Sequence, residues 1–310
     1  MNQSPPELAP RRSRTLCLGE ALVDLVCEKP ISSLAAADAF VPHFGGAVAN
    51  VALVAASMGA HIALAGGAGD DDWGRWLQGR LSDVGIDLAF FELIKSRQTS
   101  IAAVAIGEDG DATYHLYGGQ IAAVADALGE RVEEAVEGSA ALFLSSNTLV
   151  GAEERKVTMR ARELALEREL PVIFDPNLRL HRWRSRADAA ASANACVPDA
   201  LLVRANEAEA AMMTGEKDPE RAATALLEAG ARMVVITLGP DGAILRGEFR
   251  VDVPGVPARV ISTVGAGDVL TGSLLGRLAM SDFYPSAVAA GLRDAVAASA
   301  RACERWGALE

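Results

Sequence analysis

ISTVGAGDVLTGSLLG, residues 261–276, is the stretch on which the reading of this chain turns. Gly265, Ala266 and Gly267 bare the backbone at the predicted start of a helix. Free N–H groups and the helix dipole make such a start an anion site. Asp268 follows in the first turn. A carboxylate beside an anion site is an odd pairing if an anion is only to be held. It makes sense if a hydroxyl must lose a proton while a phosphoryl group arrives next to it. Taken alone, the pattern is equally a glycine-rich turn with an Asp placed on the helix dipole. The Walker pattern is absent: Gly267, Gly272 and Ser273 share part of its spacing, but there is no Lys. The dinucleotide fingerprint GxGxxG is absent too, because the first strand runs into GEALVDL. That excludes a dinucleotide oxidoreductase. Phosphate, if handled here, falls to backbone amides and a metal.

Upstream, VVITLGPDGA (234–243) is an apolar strand running into Thr237, Gly239 and Gly242. Such a strand and turn can line a nucleotide pocket or be a plain hairpin. ANEAEAAMMTG (205–215) puts Asn206 and Glu209 on one face of a helix start. They can organise Mg2+ through water, or Asn206 can simply cap the helix beside solvated glutamates. FDPNLRLHRWRS (174–185) sets Asp175, Asn177 and Arg179 after a buried strand, as ligands or as a structural turn. FGGAVANVA (44–52) pairs Gly45 and Gly46 with Asn50 one turn on, and Asn50 offers both a donor and an acceptor. Asp24 lies in the apolar run GEALVDLV. It is costly to bury there without partners such as vicinal hydroxyls; the alternative is an Asp exposed at the strand end.

Between these motifs, strand and helix patterns alternate, predicting a doubly wound, mostly parallel α/β sheet with helices on both faces. Thr15–Val26 reads as one first strand. Residues 88–94, 100–106 and 112–117 read as three strands in a row, a small antiparallel lid to which residues 30–44 add. The expected organisation is a tail over 1–14, then one α/β domain over 15–310 with a β lid from about 30–44 and 88–120. Open sheets of this kind bind ligands beyond the carboxyl ends of their strands.

Composition narrows the function further. The formal net charge is −12 and hydrophobic residues make up 50% of the chain, so neither a basic nucleic-acid footprint nor general disorder fits. The short Arg11, Arg12, Arg14 cluster sits in the tail. Cys17, Cys27, Cys196 and Cys303 lack metal or redox spacing and read as reduced thiols. No apolar run is long enough to span a membrane, and the first residues lack the apolar core of a signal peptide. The expectation is a cytoplasmic protein with no membrane or nucleic-acid partner.

Together and in this order, the motifs resemble the ribokinase/PfkB carbohydrate kinases from about residue 15 to 305. FGGAVAN is similar to that family's GGxxxN motif and STVGAGD to its DTxGAGD motif. NEAE resembles its NxxE magnesium motif, and VITLGPDG its nucleotide-binding strand and turn. GEALVDL and DPNLRLHRW are most like fructokinases and 2-keto-3-deoxygluconate kinases. The resemblance implies a ribokinase-like fold and transfer of the γ-phosphoryl group of ATP to a small sugar, fructose or a related ketose foremost. It implies Asp268 as catalytic base and Gly265, Ala266 and Gly267 as an anion hole. Asp24, Gly45, Gly46, Asn50, Tyr117 and Arg179 become sugar contacts. Asn206, Thr237, Gly239 and Gly242 border ATP, and Glu209 holds Mg2+ through water. It further implies a homodimer through the lid.

Two departures stand out. Ser262 replaces the Asp that opens the C-terminal motif and helps relatives hold a monovalent cation, which leaves K+ activation open. Tyr117 is followed by Gly118 and Gly119, where relatives acting on fructose or ketodeoxygluconate often carry Arg. The rival substrate is 2-keto-3-deoxygluconate, for which Arg179 remains a partner. A nucleoside kinase fits less well, since Tyr114 and Tyr117 make only a partial aromatic pair. A catalytically silent sugar or nucleotide sensor is opposed by the retained GAGD.

Overall fold

The computed structural model describes residues 14–118, 121 and 123–309. Gly119 and most of the expected 1–14 tail lie outside these. Of that tail only Arg14 is described, and it belongs to the fold: its guanidinium meets Asp87 at 2.5 Å and lies over the Phe90 ring.

The strands are β1 (Thr15–Leu18), β2 (Leu22–Val26), β3 (Val41–Gly45), β4 (Ile62–Gly69), β5 (Asp87–Ile94), β6 (Ile101–Ile106) and β7 (Ala112–Tyr117). They continue as β8 (Ala141–Ser145), β9 (Val172–Asp175), β10 (Leu202–Asn206), β11 (Met233–Thr237), β12 (Gly242–Gly247) and β13 (Val251–Pro254). A nine-stranded sheet runs β13-β12-β11-β10-β9-β8-β1-β4-β5. It is parallel from β5 to β11, and β12 and β13 add an antiparallel edge. Alternate residues feed opposite faces: Leu16 and Leu18 join one apolar cluster, Cys17 and Phe143 the other. Helices cover both, which is why these strands read as nearly continuous apolar runs. The doubly wound, ribokinase-like α/β expectation holds.

Three expectations about the first strands and the lid change. Thr15–Val26 is not one strand. The chain turns at Gly19–Ala21, so β1 stays in the main sheet and β2 enters a second sheet ordered β3-β2-β6-β7. At Gly19 a Cβ would lie 2.3 Å from the Val48 side chain, so helix Ala47–Ser57 crosses directly over this bend. The strand expected at 88–94 belongs to the main sheet, as β5, parallel to β4. Helix Asp72–Asp83 precedes it and makes β4–helix–β5 an ordinary crossover unit. The lid is also not wholly antiparallel, because β2 and β6 pair in parallel.

The order reversal that matters lies between β1 and β8: the chain first winds from β1 to β4 and β5, then returns to β8 and runs the other way. That is where an open sheet leaves a crevice at its carboxyl ends. Helix Ala266–Met280 packs on helix Ala47–Ser57 at this place. A Cβ on Gly272 would lie 2.6 Å from Val54, so the missing side chain sets how closely the helices approach. Among the described residues no helix is long and apolar enough to cross a membrane. Cys17, Cys27, Cys196 and Cys303 are free thiols.

Candidate active site

Asp268 sits in the first turn of helix Ala266–Met280, 6% exposed. Asn50 Nδ2 donates to its Oδ2 at 2.8 Å, and Asn177 Nδ2 donates to its Oδ1 at 3.0 Å. Asn50 comes from the facing helix, and Asn177 from the loop after β9. Burial lifts the Asp268 pKa to about 7; the Asn50 hydrogen bond and the Arg179 charge pull the other way. A carboxylate held by two amides and titrating near neutrality is fixed in position and able to take a proton.

The helix begins at Gly265, whose φ of 72° is left-handed and suits glycine. The Ala266 N–H is turned back onto the Thr263 carbonyl at 3.3 Å. The N–H groups of Gly265, Gly267 and Asp268 take no backbone partner among the described residues. The open donors therefore flank Ala266 rather than include it.

On one side of Asp268 is a cavity lined by Glu20, Asp24, Asn50, Tyr114, Asn147 and Arg179, among others. Asp24 is buried on β2, and its side chain accepts no hydrogen bond among the described residues. Burial, then repulsion from Asp268, pushes its pKa to about 8, against the attraction of Arg179. Gly45 leaves room for it, since a Cβ there would lie 2.5 Å from the Asp24 carboxyl carbon. Gly46 lines the cavity itself. Glu20, at the end of β1, accepts from Ala47 N at 3.0 Å and Asn147 Nδ2 at 2.8 Å through Oε1. Its Oε2, Asn50 Oδ1 and Asn177 Oδ1 are buried without partners. Arg179 lies over the Tyr114 ring, 5.3 Å from its centroid, and makes no ion pair with a carboxylate among the described residues.

On the other side, a groove lined by β7, Arg204, Asn206, Glu209 and Gly267 leads outward. It continues into a second groove of about 1510 Å3 lined by Thr237, Gly239, Gly242, Val256 and Ala300, among others. The Asn206–Glu209 pair forms a full capping box: Asn206 Oδ1 accepts from Glu209 N at 2.9 Å, and Glu209 Oε2 accepts from Asn206 N at 3.0 Å. Glu209 is not solvated. It is buried, and its Oε1 accepts from Leu178 N at 2.8 Å. Burial first, then Asp175, raises its pKa.

Among the sugar contacts that the family resemblance implied, Tyr117 is displaced. It is 59% exposed and reaches only the outer groove, whereas Tyr114 and Leu116 line the cavity. The alternation of β7 decides this, because neighbours one apart face opposite ways. Glu20, Asn147, Arg182 and Arg204 were not singled out in the sequence. Arg204, a charge inside the apolar run LLVRAN, carried the same signal that marked Asp24. Glu20 and Asn147 become legible only once β1 and β8 are known to be neighbours.

Comparison with known proteins gives the chain that carries this arrangement a family. Residues 12–309 match the pfkB family of carbohydrate kinases, and the chain belongs to that family. It is a carbohydrate kinase of the fructokinase-like kind. Fructokinase-1 of Oryza sativa subsp. japonica is 32% identical over 273 residues, covering 87% of this chain and 84% of the rice protein. A double-mutant fructokinase of Vibrio cholerae O395, solved with fructose, ADP and potassium ion, superposes with TM-score 0.82 at 26% identity, covering 96% and 94% of the two chains. A putative ribokinase II from E. coli shares the fold at TM-score 0.85 and 21% identity, covering 96% and 95%.

Proposed function

We propose that the chain transfers the γ-phosphoryl group of ATP to a hydroxyl of a small neutral sugar, fructose or a related ketose foremost, with Asp268 as the base. The observation that carries this is the Asp268 carboxylate, clamped by Asn50 and Asn177 between an acceptor-rich cavity and a long groove. Orphaned acceptors on Glu20, Asn50 and Asn177, with the unpartnered Asp24 carboxyl, match a ligand that brings several hydroxyl donors. The hydroxyl oxygen attacks the γ-phosphorus, its proton passes to Asp268, and the bond to the β-phosphate oxygen breaks to release ADP. Free amides at Gly265 and Gly267 face charge on the transferred group. The capping-box carboxylate of Glu209, buried against the groove, suits water-mediated contact with Mg2+. That ion supplies charge neutralisation on the phosphates. The grooves past Thr237, Gly239 and Gly242 take the nucleoside.

One observation favours a second substrate. Arg179 brings a guanidinium to the cavity with no carboxylate of the described residues bonded to it, as a sugar acid such as 2-keto-3-deoxygluconate requires. A coupled ADP-release screen over ketoses, aldoses, sugar acids and nucleosides separates the two. The expected result is the highest kcat/KM on a ketose. A sugar acid preferred by tenfold or more would overturn the ketose assignment.

The site also sets a pH dependence. Asp268 must be ionised to accept a proton, and its pKa lies at about 7. The value of kcat/KM is therefore expected to fall as pH drops below 7, approaching tenfold per unit. Initial rates at subsaturating sugar between pH 5.5 and 8.5 test this, and a flat profile down to pH 5.5 contradicts it.

A further expectation concerns monovalent cations. Ser262 is buried with a neutral hydroxyl, and that oxygen already accepts from Val264 N at 3.1 Å. The nearby Cys303 carbonyl accepts from both Ile261 and Ser262, and the Ala266 carbonyl accepts from Ser299 at 2.8 Å. Few oxygens remain for K+. Activity is expected to require Mg2+ and to change less than about threefold when K+ replaces Na+ at fixed ionic strength, which holds general screening constant. A tenfold rise would refute this.

A further inference from the structure

We infer that Arg204, on β10, is a cationic clamp for the phosphoryl group in transit between the nucleotide groove and Asp268. This rests on the reading of the site as one that moves a phosphoryl group onto a hydroxyl beside Asp268.

The first ground is cost. Arg204 is 6% exposed in a strand whose neighbours Val203 and Ala205 are fully buried. A guanidinium cannot shed its charge. Burying it is expensive unless its donors are met. They are met only in part. Nη1 donates to Asp175 Oδ2 at 3.3 Å, and Nη2 donates to Thr237 Oγ1 at 2.9 Å. Nε is buried with no partner. The Asp175 oxygen is held more tightly by Thr271 Oγ1, at 2.6 Å. An arginine kept for structure tends to form a two-pronged fork on its carboxylate. This one makes a single long contact and leaves three of its five N–H donors unspent.

The second ground is position. The guanidinium lies over Gly267, where a Cβ would come within 2.8 Å of Nη1 and 3.0 Å of Nη2. Gly267 carries one of the open N–H groups beside Asp268. Arg204 lines both the groove next to Asp268 and the nucleotide groove. The other described residues common to both are Asp111, Asn206, Thr263 and Gly267, so Arg204 is the cation at the junction.

The third ground is charge. Asp111 lines the junction itself, and Asp268, Glu209 and the cation Arg179 line the groove on its Asp268 side. A phosphoryl group crossing there meets repulsion that two or three backbone dipoles offset poorly. As the phosphoryl group leaves ADP, its charge is spread over three equatorial oxygens. A full positive charge with free N–H donors beside the open amides meets that charge where it develops.

The test uses Arg204→Gln and Arg204→Lys in the full-length protein. Thermal denaturation, the Kd for ADP and the KM for sugar are measured beside kcat. The Kd for aluminium fluoride in the presence of ADP and sugar probes the planar, charged transferring group. Arg204→Gln is expected to keep ADP Kd and sugar KM within threefold. Its kcat should fall by about 10²–10³-fold, and its aluminium-fluoride affinity by a similar factor. Arg204→Lys should recover part of both, since it restores charge without the fork. A kcat and aluminium-fluoride Kd within threefold of the parent would overturn the inference. So would parallel losses in ADP, sugar and aluminium-fluoride binding, the mark of a purely structural tie. If Arg204→Gln does not fold, Arg204→Lys decides: at least a tenfold kcat loss with unchanged ADP Kd supports the clamp, and parent-like turnover refutes it. Absence of sugar-dependent ADP release from the parent is a different result, which overturns the kinase reading and the clamp with it.

Discussion

Asp268→Asn is expected to lower turnover by at least about 10²-fold, the usual scale for a positioned base, while leaving the fold and ADP binding nearly unchanged. The geometry explains why the fold survives. Asn50 and Asn177 each give an N–H to one Asp268 oxygen, and each keeps an unpartnered Oδ1. An Asn at 268 presents one oxygen and one NH2. Rotating a single neighbouring amide then offers its idle oxygen to the new donor, so hydrogen bonding is restored without moving the backbone. What cannot be restored is a group able to accept a proton near neutral pH. The loss should appear in kcat and kcat/KM together, because the missing step belongs to the transition state rather than to substrate binding. Turnover within fivefold of the parent would remove Asp268 from the chemistry.

The parts of this molecule that were legible in its sequence are those governed by local pattern. Helix Ala266–Met280 begins where its glycines placed it. β11 and the hairpin it makes with β12 followed from an apolar run and a turn. What was not legible depended on distant partners. Whether β5 joins the lid or the main sheet is decided by its pairing with β4, not by its own residues. The division of Thr15–Val26 follows from helix Ala47–Ser57 crossing over Gly19. In β7, alternation was visible, but which tyrosine faces the cavity is fixed by register against β6, where Val104 pairs with Tyr114 and Ile101 with Tyr117. Asp24 and Arg204 drew different attention although each is a charge in an apolar strand. Asp24 was marked by its apolar run and made a sugar contact by the family resemblance, whereas only the fold brought Arg204 over Gly267.

Replacing Asp24 is expected to change two measurements in opposite senses. Sugar binding should weaken. The buried carboxyl accepts nothing from the protein and lines the cavity, so hydroxyl donors of the ligand are its natural partners. At pH 9, where the carboxyl is ionised, a hydrogen bond to it contributes about 1.5–3 kcal/mol, or roughly a tenfold to a hundredfold change in affinity for each bond lost. Asp24→Ala should raise the sugar Kd by that factor, Asp24→Asn by less because an acceptor oxygen remains, and the ADP Kd should stay within threefold. Equal losses for both ligands would place Asp24 outside the sugar site. Stability should move the other way as pH rises. The folded-state pKa of Asp24 is about 8 against an ordinary value of 3.8, burial being the chief cause. Below the lower value both states hold the proton and the carboxyl favours neither. Between the two, the unfolded chain has released a proton that the native state retains, so native stability declines steadily with pH. Above about 8 both are ionised and the decline levels off. Asp268, raised to about 7, adds its own decline in the same window and does so in parent and variant alike. Asp24→Asn removes only the Asp24 contribution. Its Tm relative to the parent should therefore rise between pH 4 and 8 and then level off, and any fixed packing cost shifts that curve without altering its slope. Thermal denaturation of both proteins at pH 5, 6, 7 and 8 measures it. Parallel Tm curves would mean that Asp24 is not held protonated by burial in the native state.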